Sequence, residues 1–241
     1  MIKIFPTFEE LTDFAAGKFI ALAKAAISER ERFVVALSGG STPKALYELL
    51  ASERYRKEID WKKVYFFFGD ERNVLPDDEE SNFLMASEAM FLPLSISADK
   101  IYRWHTEIEP PEHIAGDYAE HLESLFGGFP VFDLMLLGMG DDGHTASLFP
   151  HTAALNEKEK LACANPVEKL DTTRLTLTFP VINRAANIVF LVKGADKKEI
   201  LQTVLEGEFQ PDEYPSQNVK PENGELLWLI DEAAAALLQK A

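Results

Sequence analysis

The stretch Phe33-Val34-Val35-Ala36-Leu37-Ser38-Gly39-Gly40-Ser41-Thr42-Pro43, running on into Lys-Ala-Leu-Tyr-Glu-Leu-Leu to residue 50, decides the fold class. Five apolar residues in a row read as a short strand buried on both faces. A glycine turn follows, and residues 43–50 read as a helix with Thr42 as N-cap and Pro43 at the first helical position. Gly39 and Gly40 let the backbone approach a ligand, and Ser41 and Thr42 offer hydroxyls. The helix start aims free N–H groups and a positive dipole end at the turn, which is the chemistry of an anion cradle. From these residues alone a plain strand–turn–helix connection reads equally well. It is not a Walker loop, because no Gly-Lys-Ser/Thr triplet stands at the required spacing.

The same alternation runs outward in both directions. Upstream, Thr7-Phe8-Glu9-Glu10 is a capping box, and Leu11, Phe14, Ala15, Phe19 and Leu22 form one helix face. Downstream, residues 64–68 (VYFFF), 132–137 (FDLMLL), 187–192 (NIVFLV) and 226–230 (LLWLI) read as buried strands, and 174–179 (RLTLTF) as a half-exposed one. Helices are expected over 81–91, 112–126 and 196–205, and Asp231 is expected to cap a last helix of alanines and leucines. Residues 210–221, with three prolines, read as a surface loop. Apolar strands joined by helices imply an α/β fold, a mostly parallel sheet flanked by helices on both faces. No repeat or low-complexity linker divides the chain, so residues 1–241 are expected to form one domain.

Composition excludes several classes. With 24 Lys and Arg against 40 Asp and Glu, the 241-residue chain carries a formal charge of −16. Such a protein is a poor general binder of nucleic acid or anionic membrane. At 46% hydrophobic residues it is too apolar for a disordered chain. A single cysteine, Cys163, cannot form an internal disulfide, which points to a reducing compartment. The early apolar stretch at 7–27 carries Glu9, Glu10, Asp13, Lys18 and Lys24, unlike a signal peptide, and no run of 18 uncharged apolar residues is available for a bilayer span. A cytoplasmic protein is expected.

The chemistry-bearing residues lie in four loops that follow strands, and an open parallel sheet brings such loops to its carboxyl edge. The first is the glycine cradle. The second, Gly69-Asp70-Glu71-Arg72, offers Arg72 for bidentate phosphate binding, or an ion pair with Asp70 or Glu71 within the loop. The third, Gly138-Met139-Gly140-Asp141-Asp142-Gly143-His144-Thr145, matches a dinucleotide fingerprint only formally. Asp141 and Asp142 would repel a pyrophosphate, and Pro150 cuts short the helix that should follow. It reads better as a tight turn presenting His144, with Asp141 or Asp142 close enough to fix its tautomer. The fourth, Lys193-Gly194-Ala195-Asp196-Lys197, adds Lys197, and Arg174 is a further cation for an anionic ligand. His105, His113, His121 and His151 lack such a setting. Asp70, Glu71, Asp142 and His144 are plausible ligands for a divalent ion, without the spacing of a dedicated zinc site, so no metal is assigned.

These motifs resemble the 6-phosphogluconolactonase family: Ser38 to Pro43, Asp70-Glu71-Arg72, Ser81-Asn82, Gly138 to Pro150, Arg174 to Thr178, Gly194-x-x-Lys197 and Leu226 to Asp231, in the family's order across almost the whole chain. The resemblance implies a deaminase/isomerase-type, Rossmann-like α/β fold and a cytosolic enzyme of the pentose phosphate pathway with no required cofactor. For such a reaction His144 is the expected catalytic base, with Asp142 and Asp70 as further expected catalytic residues. The related glucosamine-6-phosphate deaminases typically place Tyr where this chain has Arg72, and a relay Glu where it has Phe149. The alternatives are a deaminase-like isomerase and a non-catalytic sugar-phosphate-binding regulator. The expected partner is a small sugar-phosphate lactone, with no nucleic acid or membrane, and oligomeric state is not readable from the sequence.

Overall fold

The computed structural model describes residues 1–239. Among them lie nine strands: β1 (Ile2–Phe5), β2 (Phe33–Leu37), β3 (Val64–Phe68), β4 (Asp70–Arg72), β5 (Leu134–Leu137), β6 (Ala162–Val167), β7 (Thr172–Leu177), β8 (Asn187–Val192) and β9 (Glu225–Asp231). Six form a sheet in the order β1-β9-β8-β5-β2-β3, with every neighbouring pair parallel. All five residues of β2 are buried. Successive strand side chains point to opposite faces, so both faces of the sheet must be covered at this strand.

Helix α1 (Phe8–Arg30) starts where the capping box places it. The Thr7 hydroxyl accepts from Glu10 N at 3.2 Å, a cap worth about 1 kcal/mol. The second helix, α2 (Ser41–Ala51), begins two residues before the expected start. Gly40 is the N-cap, at φ +100°, with no side-chain cap bond. A β-branched residue does not adopt that φ, so the chain enters the helix there, and Ser41 and Thr42 belong to its first turn.

Arg174 to Leu177 departs from the expectation of a half-exposed strand. The segment lies in a separate antiparallel sheet of order β4-β7-β6, in which Arg72 is registered opposite Arg174 and Asp70 opposite Thr176. Leu175, Thr176 and Leu177 are all buried. The Thr176 hydroxyl donates to Leu177 O at 2.9 Å and accepts from Ser147 N at 3.3 Å, so a turn from elsewhere in the chain covers the polar side. Phe179 is not strand but starts a short helix, Phe179–Ile182. Asp231 caps a run of turns over residues 232–237 rather than a helix. Its Oδ1 accepts from Ala234 N at 2.8 Å.

The chain passes from β2 to β3 on one side and then to β5 and β8 on the other. The β2/β5 boundary is therefore the switch point of the sheet, the place where open α/β sheets form a ligand crevice. Among the described residues no helix is long and apolar enough to cross a membrane.

Candidate active site

The loops after β2 and β5 flank the switch point, and those after β3 and β8 close on it. Two adjoining clefts result, of about 410 Å³ and 310 Å³. Asp70, Arg72, His144 and Ala146 line both. The larger adds Asp142, Ser147, Phe149, Lys169 and Arg174. The smaller adds Ser38, Gly39, Gly40, Asn82, Gly140 and Lys197. The structure thus gathers Asp70, Asp142 and the expected cations around His144, with Gly39, Gly40 and Lys197 on one side, Arg174 on the other and Arg72 reaching both, whereas the expected Ser41 and Thr42 line neither cleft.

His144 is held from several directions. Its Nδ1 lies 2.5 Å from Asp142 Oδ1, and its backbone N–H donates to the same oxygen at 3.1 Å. Asp142, not Asp141, is therefore the aspartate that orients the ring and leaves Nε2 free of it. The Phe149 ring lies against the imidazole at 4.0 Å between centroids. A Cβ at residue 140 would meet the ring atoms at 2.1 Å, so only glycine at 140 admits His144 in this pose. Burial lowers the His144 pKa from 6.5 to about 4; the charges of Asp70 and Asp141 oppose the drop, and Lys197 and Arg174 reinforce it. The imidazole is neutral at physiological pH and available as a base.

Asp141 is engaged elsewhere, pairing with the Lys197 ammonium, which lowers the Asp141 pKa. Asp142 Oδ2 takes the Lys169 ammonium, a contact from the β6–β7 connection that the sequence did not single out. Asp70 is buried and accepts from the Ser147 hydroxyl at 2.6 Å.

The glycine turn expected to cradle an anion is open on its backbone. Among the described residues no backbone carbonyl accepts from the N–H groups of Gly39, Gly40, Ser41 or Thr42, which are the orphan donors of a helix start. Tyr47 fixes this loop, its hydroxyl donating to Ser38 O at 2.8 Å and accepting from Ser38 N at 3.0 Å. Asn82 lies so close to Gly39 that a Cβ there would meet its Oδ1 at 1.8 Å, and its Nδ2 donates to Asp70 O at 3.0 Å. Long-range contacts of this kind leave no local pattern in the sequence. The Ser81-Asn82 pair was the available signal.

Arg72 and Arg174 stand side by side on paired strands, and among the described residues neither forms an ion pair with a carboxylate. The intraloop ion pair weighed for Arg72 does not form. One Arg72 nitrogen donates to Glu80 O, while its backbone N–H donates to Glu71 at 2.8 Å. Burial and the neighbouring Arg72 charge lower the Arg174 pKa. Two adjacent guanidiniums without carboxylates form a pre-set positive field for an anion.

The metal alternative loses a ligand. The Glu71 oxygens are taken by Arg72 N and Asn82 N at 2.8 Å, Phe83 N at 2.9 Å and Ser81 Oγ at 3.3 Å. Burial pushes its pKa up to about 7 against these hydrogen bonds. Glu71 is a buried clamp on the helix Asn82–Ala86 and not a free donor to the cleft.

Three comparisons place this geometry among known proteins. The family model for glucosamine-6-phosphate isomerases and 6-phosphogluconolactonase matches residues 6–228. A 6-phosphogluconolactonase of a Nostoc species is 41% identical over 241 residues, covering 98% of each chain. Another, from a Synechocystis species, is 44% identical over 218 residues, covering 89% of this chain and 88% of that one. The solved structure of 6-phosphogluconolactonase from Trypanosoma brucei superimposes with a TM-score of 0.87 at 30% identity, covering 99% and 98% of the two chains.

Proposed function

The chain belongs to the glucosamine-6-phosphate isomerase/6-phosphogluconolactonase family and is an enzyme of its lactonase branch, hydrolysing 6-phospho-D-glucono-1,5-lactone to 6-phosphogluconate in the pentose phosphate pathway; we propose that His144 is the base that activates the attacking water. The observation that carries this assignment is the Asp142–His144 pair at 2.5 Å beside an open, cation-lined cleft.

A lactone is an activated ester, so water can attack it without a covalent enzyme intermediate. Neutral His144 takes a proton from water as the oxygen attacks the carbonyl carbon, and Asp142 stabilises the imidazolium that forms. The carbonyl oxygen gains charge in the tetrahedral intermediate, and hydrogen-bond donors in the cleft must meet that charge. When the ring oxygen leaves, the imidazolium returns the proton to it, and the carboxylic acid product ionises. Asp70, held by Ser147, adds negative charge near the imidazolium.

The phosphate sits at the N-terminus of α2 on the free N–H groups of the 39–42 turn, with Lys197 and Arg72 as countercharges and Arg174 beside Arg72. Anchored there, it holds the remote carbonyl against His144. The Gly140 N–H, which donates to His144 O at 2.9 Å, is spent on shaping the turn and is not a donor to the oxyanion.

Phe149 packs on His144 where the deaminase resemblance would require a relay glutamate, which favours hydrolysis over deamination. We place the enzyme in the cytoplasm, supported by a composition whose single cysteine allows no internal disulfide, and treat residues 1–241 as one domain. Acid release is measured on the phosphorylated lactone, with glucosamine 6-phosphate as parallel substrate. Turnover of the lactone alone is expected, and ammonia release from the amino sugar would overturn the assignment.

A further inference from the structure

We propose that His105, Asp117 and His121 form a binding site for one divalent transition-metal ion of the zinc class, separate from the catalytic cleft. One ligand atom from each of the three residues lies within 4.8 Å of the others. His105 Nδ1 is 2.8 Å from Asp117 Oδ2, and His121 Nδ1 approaches the same oxygen at 3.7 Å, beyond hydrogen-bond reach. That second nitrogen is buried and has no hydrogen-bond partner. Two imidazole nitrogens thus converge on one carboxylate oxygen that satisfies only one of them. A cation between the three atoms satisfies all of them.

The donor set is right for such an ion. Two imidazoles and a carboxylate suit a borderline metal, and three protein ligands leave the fourth tetrahedral position to water. Metal–ligand bonds of about 2.0–2.1 Å put tetrahedral donors roughly 3.3 Å apart. The observed 2.8 and 3.7 Å from the two imidazoles to Asp117 bracket that spacing, and all three donor atoms lie within 4.8 Å of one another.

The scaffold is rigid on both sides. Asp117 and His121 are four residues apart on one face of the helix Pro111–Phe126. His105 follows a segment tied to β3 by the bond from Tyr102 N to Phe66 O at 2.8 Å. Between them Trp104 stacks on Tyr118 at 3.7 Å. The local charge does not oppose a cation. Arg103 is neutralised by two bonds to Glu107, at 2.8 and 2.6 Å, and among the described residues Asp117 pairs with no Lys or Arg. The cluster lies beyond β3, the edge strand of the parallel sheet, and none of its residues lines either cleft around His144.

The test uses the full chain stripped with chelator and titrated with cobalt(II), then zinc(II). The expected result is one equivalent of cobalt with the visible ligand-field absorption of a tetrahedral site, bleached by zinc, and a thermal midpoint that rises with metal concentration. Asp117→Asn and His121→Ala should lose the absorption and the thermal shift while keeping the far-ultraviolet circular dichroism of the parent, and His105→Gln, which leaves the helix untouched, should do the same. His144→Ala should keep the full cobalt equivalent. Failure of the parent chain to bind cobalt overturns the proposal. So does binding that survives all three cluster substitutions, or binding abolished by His144→Ala, which would assign the ion to the catalytic cleft.

Discussion

Titration of turnover from pH 7 towards pH 4 tests both the identity of the base and the environment that tunes it. With His144 as the proposed base, the neutral imidazole is the active form, and kcat/KM is expected to fall as pH falls through its pKa in the free enzyme. Burial against Phe149 and the walls of the cleft lowers that pKa to about 4. At pH 5 such a group is about nine-tenths neutral, whereas an imidazole at the ordinary value near 6.5 is only about 3% neutral. The two cases differ roughly thirtyfold in kcat/KM at that pH. A substrate phosphate has its own second pKa near about 6. The profile is therefore measured in parallel on unphosphorylated gluconolactone, which lacks that group, with the buffer rate subtracted throughout. In His144→Ala the acid limb should vanish and kcat should drop by about 10²–10⁴, equal to roughly 2.7–5.4 kcal/mol of barrier. A limb centred near 6.5 in the parent would show that the ring is solvated in the working enzyme. Near-normal turnover in His144→Ala, above the buffer rate, would refute the assignment of the base, and Asp70 would then be the group to test.

Arg72→Ala and Arg174→Ala should each cost about 1.5–3 kcal/mol of binding to the phosphorylated lactone, the worth of a charge-assisted hydrogen bond. The loss should appear as a raised KM that is absent with gluconolactone, and an unchanged KM in both variants would mean that the phosphate binds elsewhere. Glu71→Gln should lower the unfolding free energy by about 1–3 kcal/mol, read as a lower urea midpoint, because an amide NH2 would face backbone donors that now point at carboxylate oxygens. An unchanged midpoint would show that the clamp on the Asn82 helix is not needed for folding. Exhaustive chelation should leave lactone turnover intact, since a base and oxyanion donors suffice for an activated ester. Loss with EDTA and recovery with a divalent ion would put a metal in the reaction.

The sequence by itself determined the parallel sheet, because fully apolar runs such as Phe33–Leu37 fit only strands covered on both faces. It also picked out the loops that line the clefts, since glycine, Asp142 and His144 within one short turn are a local pattern. Local pattern did not reveal the second sheet. The three residue pairs that join β4 to β7 lie about a hundred positions apart, such as Arg72 with Arg174, and no short-range periodicity encodes such a partner. For the same reason the alternation of β7 reads as a half-exposed strand, although Ser147 covers Thr176 in the fold. The choice between Asp141 and Asp142 was likewise tertiary. Both stand between Gly140 and Gly143, but Lys197 pairs with one while the turn aims the other at the imidazole. Which of two adjacent carboxylates orients a ring depends on angles and distant counter-ions, and these exist only once the chain is folded.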